Sequence, residues 1–161
     1  MTWSILKFTG EEIIGLAVNI EKAGKTFYEK ALNKVDDADA REMFSYLARE
    51  EEKHMAAFEK LGAKLAKEVV PNESYVGEYG DYLKSIIDTH VFNQNNVDDL
   101  VKDIKTFREA LAIAFRFEKD SIIIFQEFLS SVDSTGKEII GELIAEEKEH
   151  IKKISKLNRI S

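Results

Sequence analysis

Cysteine is absent from the 161-residue chain, which removes a disulfide framework, a thiolate metal site and thiol redox chemistry. Proline occurs once, at Pro71, so helices can run long without the ring that breaks them. Long apolar runs are missing as well. Those present, such as Ile122 to Phe125, fall far short of a bilayer's thickness, and no basic-then-apolar leader opens the sequence. A cytoplasmic protein without a membrane partner is expected. Positive charge is in deficit: the formal net charge of −7 argues against nucleic acid or an anionic membrane surface as partner. Strand alternation and nucleotide-binding glycine loops do not occur.

What the chain does contain is glutamate, lysine, isoleucine and leucine, a balance that favours helix. Its length suits one domain, residues 1–161, with room for a substantial core. Thr9 and Glu12 read as a capping box with Phe8 and Ile13 as its hydrophobic staple. From there Ile14, Ala17, Glu21, Gly24, Tyr28, Ala31 and Val35 recur at steps of three and four, tracing one face of a helix. Asp36-Asp37 breaks it. A second helix carries Ala40, Phe44, Leu47, Glu51, His54, Phe58, Leu61 and Leu65, and Pro71 ends any continuation. Residues 69–105 are less regular and read as a connection with one or two short helices, Asp81 to Val91 and Val97 to Ile104. Thr106 and Glu109 form another capping box, opening a third helix with Leu111, Ala114, Glu118, Ser121, Phe125, Phe128 and Val132 on its seam. After the break Asp133-Ser134-Thr135-Gly136, with Thr135 and Glu138 as the capping pair, a fourth helix carries Ile140, Leu143, Glu147, His150, Ile154 and Leu157. The expected fold is all-α: two helical hairpins in a four-helix bundle, joined by a long crossover.

The two hairpins repeat one another. "IEKAGKTFYEKAL" from Ile20 lies over "FEKDSIIIFQEFL" from Phe117, and "LAREEEKHMAAFEKL" from Leu47 lies over "LIAEEKEHIKKISKL" from Leu143. Glu21 maps to Glu118 at an offset of 97, and Glu51 and His54 map to Glu147 and His150 at an offset of 96. Each half thus supplies a lone glutamate on one helix and Glu-x-x-His on the next. Helical phase separates the glutamates that matter. Glu51 and His54 fall on the apolar seam while Glu50, Glu52 and Lys53 fall beside it; Glu147 and His150 fall on the seam while Glu146 and Glu149 do not. Residues three apart share a helix face, so each Glu-x-x-His pair points inward together.

Six ionisable groups therefore converge on one interior, where each unpaired charge would cost several kcal/mol. One glutamate three residues before a histidine is unremarkable in so acidic a chain. Two, in register with a repeat and on buried seams that offer no lysine or arginine, point to metal. Four carboxylates and two imidazoles match two divalent cations in charge, and hard oxygen with imidazole favours iron or manganese, with zinc as a possible substitute. One glutamate from each of two helices plus Glu-x-x-His from the other two is the general pattern of di-iron carboxylate bundles.

On these residues the chain resembles the ferritin-like superfamily, and within it the rubrerythrin-type di-iron domain, over roughly residues 10–68 and 106–158. The resemblance implies that Glu51 and Glu147 bridge two irons and that Glu21, Glu118, His54 and His150 are terminal ligands. Rubrerythrins carry a further glutamate three residues after the lone ligand of the third helix; Ser121 stands there. They also often append a four-cysteine iron site as electron donor, so a cysteine-free chain implies an external reductant, a rubredoxin-like protein or a flavoprotein. Bacterioferritins place a haem-binding methionine where this chain has Glu52, so haem is not expected.

The resulting expectation is a di-iron protein, a homodimer, that reduces peroxide or reacts with dioxygen in oxidative-stress defence. Iron handling by Fe(II) oxidation, manganese catalase chemistry and a metal-stabilised structural or interaction module are the alternatives. His90 lacks a carboxylate spaced to join it and is expected to pack or face solvent. Tyr28 is expected in the core, where its phenol could tune nearby metals, Trp3 as a packing anchor, and Met43 and Met55 as filler.

Overall fold

The computed structural model describes residues 10–65 and 78–160, together with Trp3. In chain order the helices are α1 (Gly10–Ala31), α2 (Ala38–Leu65), α3 (Glu78–Asp88), α4 (Val97–Asp103), α5 (Phe107–Phe128) and α6 (Ser134–Ile160). No strand occurs among the described residues. The helix start at Thr9, its staple through Phe8, the Leu65 side chain and the stop at Pro71 lie outside the described residues.

The four long helices form two hairpins, α1 with α2 and α5 with α6, and these face one another through α1–α5 and α2–α6 contacts. The short α3 packs on α5 and α4 on α1, so the crossover runs along the bundle. The seams are buried as their spacing predicts: Ile14, Ala17, Tyr28, Ala31, Phe44, Leu47, Phe58 and Leu61 from one hairpin meet Leu111, Ala114, Phe125, Phe128, Ile140, Leu143 and Ile154 from the other. Gly24 lets α1 pack against the Phe117 ring of α5, because a Cβ there would lie 2.2 Å from that ring. None of the described helices is long and apolar enough to cross a membrane.

The internal repeat extends into the turns. α1 and α5 each end in a 3₁₀ turn, Leu32–Lys34 and Leu129–Ser131, again 97 residues apart. Each following helix is then capped by an aspartate: the Asp37 carboxylate accepts the Ala40 N–H at 2.9 Å and the Asp133 carboxylate accepts the Gly136 N–H at 2.8 Å. These aspartates are 96 apart, so Asp36 is the residue that changes the offset. α6 therefore begins one residue before Thr135, and Asp133, not the Thr135–Glu138 pair, is its cap. The short oxygen of aspartate bonds the third amide beyond it, which is the geometry an N-cap needs. The capping box of Thr106 and Glu109 forms as expected, with both reciprocal bonds at 3.2 Å.

The first crossover helix starts three residues earlier than its pattern suggests and stops at Asp88 rather than Val91. Its end has a cause. The Ile87 carbonyl takes bonds from the His90 amide and the Asn93 side chain, at 3.2 and 2.8 Å, which divert the chain into turns. The second crossover helix ends at Asp103, with Ile104 extended as its C-cap.

Candidate metal centre

Glu21 comes from α1, Glu51 and His54 from α2, Glu118 from α5, and Glu147 and His150 from α6. All six seam residues are at most 1% exposed, and the bundle brings them together in its middle. His54 Nδ1 lies 3.1 Å from Glu21 Oε2, 3.0 Å from Glu147 Oε1 and 3.5 Å from Glu51 Oε2. His150 Nδ1 lies 2.8 Å from Glu147 Oε2, 3.5 Å from Glu118 Oε1 and 3.8 Å from Glu51 Oε1. Two four-residue sets result, Glu21/Glu51/His54/Glu147 and Glu51/Glu118/Glu147/His150, each with its donor atoms within 4.8 Å of one another. Glu51 and Glu147 belong to both. Each turns one oxygen toward either imidazole, the disposition that carboxylates shared between two cations require.

Whether these residues fit metal is answered by what they lack. Glu21 Oε1, both Glu51 oxygens, Glu118 Oε2 and His150 Nε2 are buried without a hydrogen-bond partner. Among the described residues these four carboxylates form ion pairs only with the two histidines, and no lysine or arginine reaches them. Buried, unpaired oxygens are costly unless a proton or a cation takes them up. Four anionic groups with two neutral imidazoles fit two divalent cations and leave no net charge.

Without a cation, protons do this work. Burial, and then the neighbouring Glu147 charge, raises the pKa of Glu51 and of Glu118 well above the usual carboxylate range, and raises Glu21 by the same causes. Burial would also raise Glu147, but the imidazoles of His150 and His54 overcome it and hold it well below. Burial opposes a charge on His150; hydrogen bonds to Glu118 and Glu147 reverse this and lift it to about 10. His54 is raised further in the same way.

Three neighbours escaped the seam argument. Glu146 lies beside the seam, half exposed, yet its Oε2 reaches back to 2.7 Å from His54 Nε2. Glu50, its counterpart 96 residues earlier, keeps only 13% side-chain exposure and bonds Lys53 at 2.7 Å, although its carboxylate lies near both imidazoles. Glu52 does face solvent, 3.6 Å from Lys25. Tyr46, intermediate in burial, presents its ring edge-to-face to His150 at 6.0 Å, and the Lys153 ammonium sits 4.1 Å from the same ring's centroid. Helical phase places a Cα, while a long side chain can curl to the next face; the repeat of Glu-Glu-x-x-His in both halves was the available signal.

Tyr28 is in the core as expected, stacked on Phe44, and its hydroxyl donates to Glu118 Oε1 at 2.6 Å. His90 packs rather than facing solvent: it is 3% exposed, edge-on to Trp3 at 4.9 Å and against Phe117. Its Nδ1 accepts the Phe92 amide at 3.1 Å, so the ring proton sits on Nε2 and is donated to Ser121 Oγ at 3.1 Å. Thus the position where rubrerythrins carry a further glutamate holds a buried hydroxyl covered by a neutral imidazole.

No curated protein and no solved structure matches the chain. The sequence model of the Rubrerythrin family does, over residues 12–99, which takes in nearly all of the first hairpin and the crossover as far as the first turn of α4. That is more than half of the chain, and the second hairpin repeats the first. The chain belongs to the rubrerythrin family, whose domain is a ferritin-like di-iron carboxylate bundle.

Proposed function

We propose that this protein is a di-iron oxidoreductase that reduces peroxide, drawing electrons from an external donor such as a rubredoxin-like protein or a flavoprotein, in defence against oxidative stress. The carrying observation is the pair of donor sets that share Glu51 and Glu147 in a fully buried interior. In this reading Glu51 and Glu147 would be shared by two metal positions, with Glu21 and His54 completing one and Glu118 and His150 the other. Two ferrous ions held there would supply the two electrons that cleavage of a peroxide O–O bond consumes.

The chain's own residues set the conditions. The six donor residues are themselves at most 1% exposed, so bulk water is kept from them, which strengthens every electrostatic interaction at the centre. The carboxylates that hold protons when no metal is bound must release them on loading, so loading is coupled to pH. The Tyr28 hydroxyl fixes Glu118, and the Glu146 carboxylate fixes the ring of His54.

The test is anaerobic loading with Fe(II), metal analysis, then stopped-flow absorbance after mixing with hydrogen peroxide or dioxygen. About two ions per chain and faster oxidation by peroxide are expected. Stoichiometry well below one ion would overturn the centre itself. Faster reaction with dioxygen, with ferric mineral and large shells, would overturn peroxide reduction in favour of iron storage.

A further inference from the structure

The internal repeat should make the two halves of the centre equivalent, and three side chains break that equivalence. The first is Tyr28, whose hydroxyl donates to Glu118 Oε1 at 2.6 Å. Its counterpart 97 residues on is Phe125, which has no hydroxyl to offer Glu21. The second is Glu146, which receives His54 Nε2 at 2.7 Å. Its counterpart, Glu50, leaves His150 Nε2 buried and without a partner. The third explains the second. Lys53, three residues after Glu50, draws that carboxylate away at 2.7 Å, whereas the residue at the equivalent place is Glu149, which cannot hold Glu146 and is itself paired with Lys152.

These differences act in one direction. A histidine that donates its second ring N–H to a carboxylate is fixed in orientation and is a more basic metal ligand. His54 has that support and His150 lacks it. A carboxylate oxygen accepting a short, charge-assisted hydrogen bond has less charge to give a cation. Glu118 bears that bond and keeps Oε2 alone unpartnered, while among the described residues Glu21 receives no hydroxyl and lies 3.1 Å from His54 Nδ1, where the cation would sit.

We propose that the two metal positions are unequal and fill in order, the Glu21/His54 position first and the Glu118/His150 position second, with Tyr28, Glu146 and Lys53 setting the rank. This rests on the two-metal reading above. The centre then passes through a one-metal state at sub-stoichiometric supply, held by Glu21, His54 and the shared pair Glu51 and Glu147. A reaction that needs both ions waits for the weaker position.

The experiment is anaerobic titration of the metal-free protein with Mn(II), followed by calorimetry and by electron paramagnetic resonance. Two steps are expected, their affinities apart by about tenfold to a hundredfold, the usual effect of an outer-shell carboxylate. An isolated-ion signal should dominate at one equivalent and a coupled-pair signal at two. Y28F combined with K53E removes the difference in hydrogen bonding between the halves and should tighten the second step toward the first. E146Q should weaken the first step alone. Both sets of substitutions avoid the six seam residues, and thermal melts establish that the variants fold. Two ions bound in one step, coupled from the first addition, would overturn the ordering while leaving the two-metal centre standing. An unchanged gap in the Y28F/K53E variant would overturn the assigned cause, and less than one ion bound in the wild type would overturn both readings.

Discussion

At the scale of single residues, the six seam positions were legible because burial and phase agree: an ionisable group at an apolar step has nowhere to go but inward. Glu51→Ala and Glu147→Ala each remove a carboxylate common to both sets, so each should weaken the binding of both ions by more than the about tenfold typical of losing an outer-shell group. Glu52→Ala and Glu50→Ala should bind nearly normally, since one carboxylate pairs with Lys25 and the other with Lys53. Equilibrium dialysis with Mn(II) distinguishes these; equal losses from all four would show that the helical phase is misread. His90 was only half legible. Its burial came with the expectation of packing, but its bond to Ser121 joins residues 31 apart and leaves no trace in local spacing. Burial, with the Arg116 charge adding, lowers its pKa from 6.5 to about 3. The unfolded chain therefore takes up a proton below pH 6.5 that the folded chain refuses until about 3. Its contribution is complete above that window and falls on acidification by about 1.4 kcal/mol per pH unit. Denaturant melts of the metal-free protein at pH 7, 6 and 5 should show stability that declines with acid more steeply in wild type than in His90→Phe. Parallel declines would place the sensitivity elsewhere.

At the scale of elements, the seams predicted four long helices, and the errors fell at ends, where one hydrogen bond decides. The Thr135–Glu138 spacing resembles a capping box, yet the preceding Asp133 captures the Gly136 amide first. Asp133→Ala should cost about 1 kcal/mol and Asp37→Ala a similar amount, by loss of an N-cap acceptor. Thr135→Ala, on an exposed first turn, should stay within about 0.5 kcal/mol. Thermal melts of the three variants decide between the caps. The crossover was harder to read because side chains such as Asn93 end its first helix, and turns of that kind depend on a contact six residues away rather than on periodicity. The glycine between α1 and α5 makes another test: Gly24→Ala places a methyl against the Phe117 ring and should cost about 1–3 kcal/mol through overpacking.

At the scale of the whole molecule, the centre is a region where folding alone leaves buried oxygens unsatisfied. A cation that binds only the folded chain stabilises it by RT ln(1 + [L]/Kd), about 2.7 kcal/mol at a hundredfold excess over Kd. The metal-free protein should melt lower, and the gap should widen as Mn(II) is added; an unchanged melting temperature would mean the carboxylates are satisfied without metal. The arrangement of the two donor sets has a mechanical consequence. Each position takes three of its four groups from one hairpin and the fourth from the other: Glu147 crosses to the first position and Glu51 crosses to the second. Neither hairpin can part from its mate with its own ion fully held, because the departing carboxylate leaves with the opposite half. Two cations bound there would act as paired rivets through the joint between hairpins. Each hairpin alone carries three of the four groups of one donor set, and a two-ion centre would come into being only where they meet.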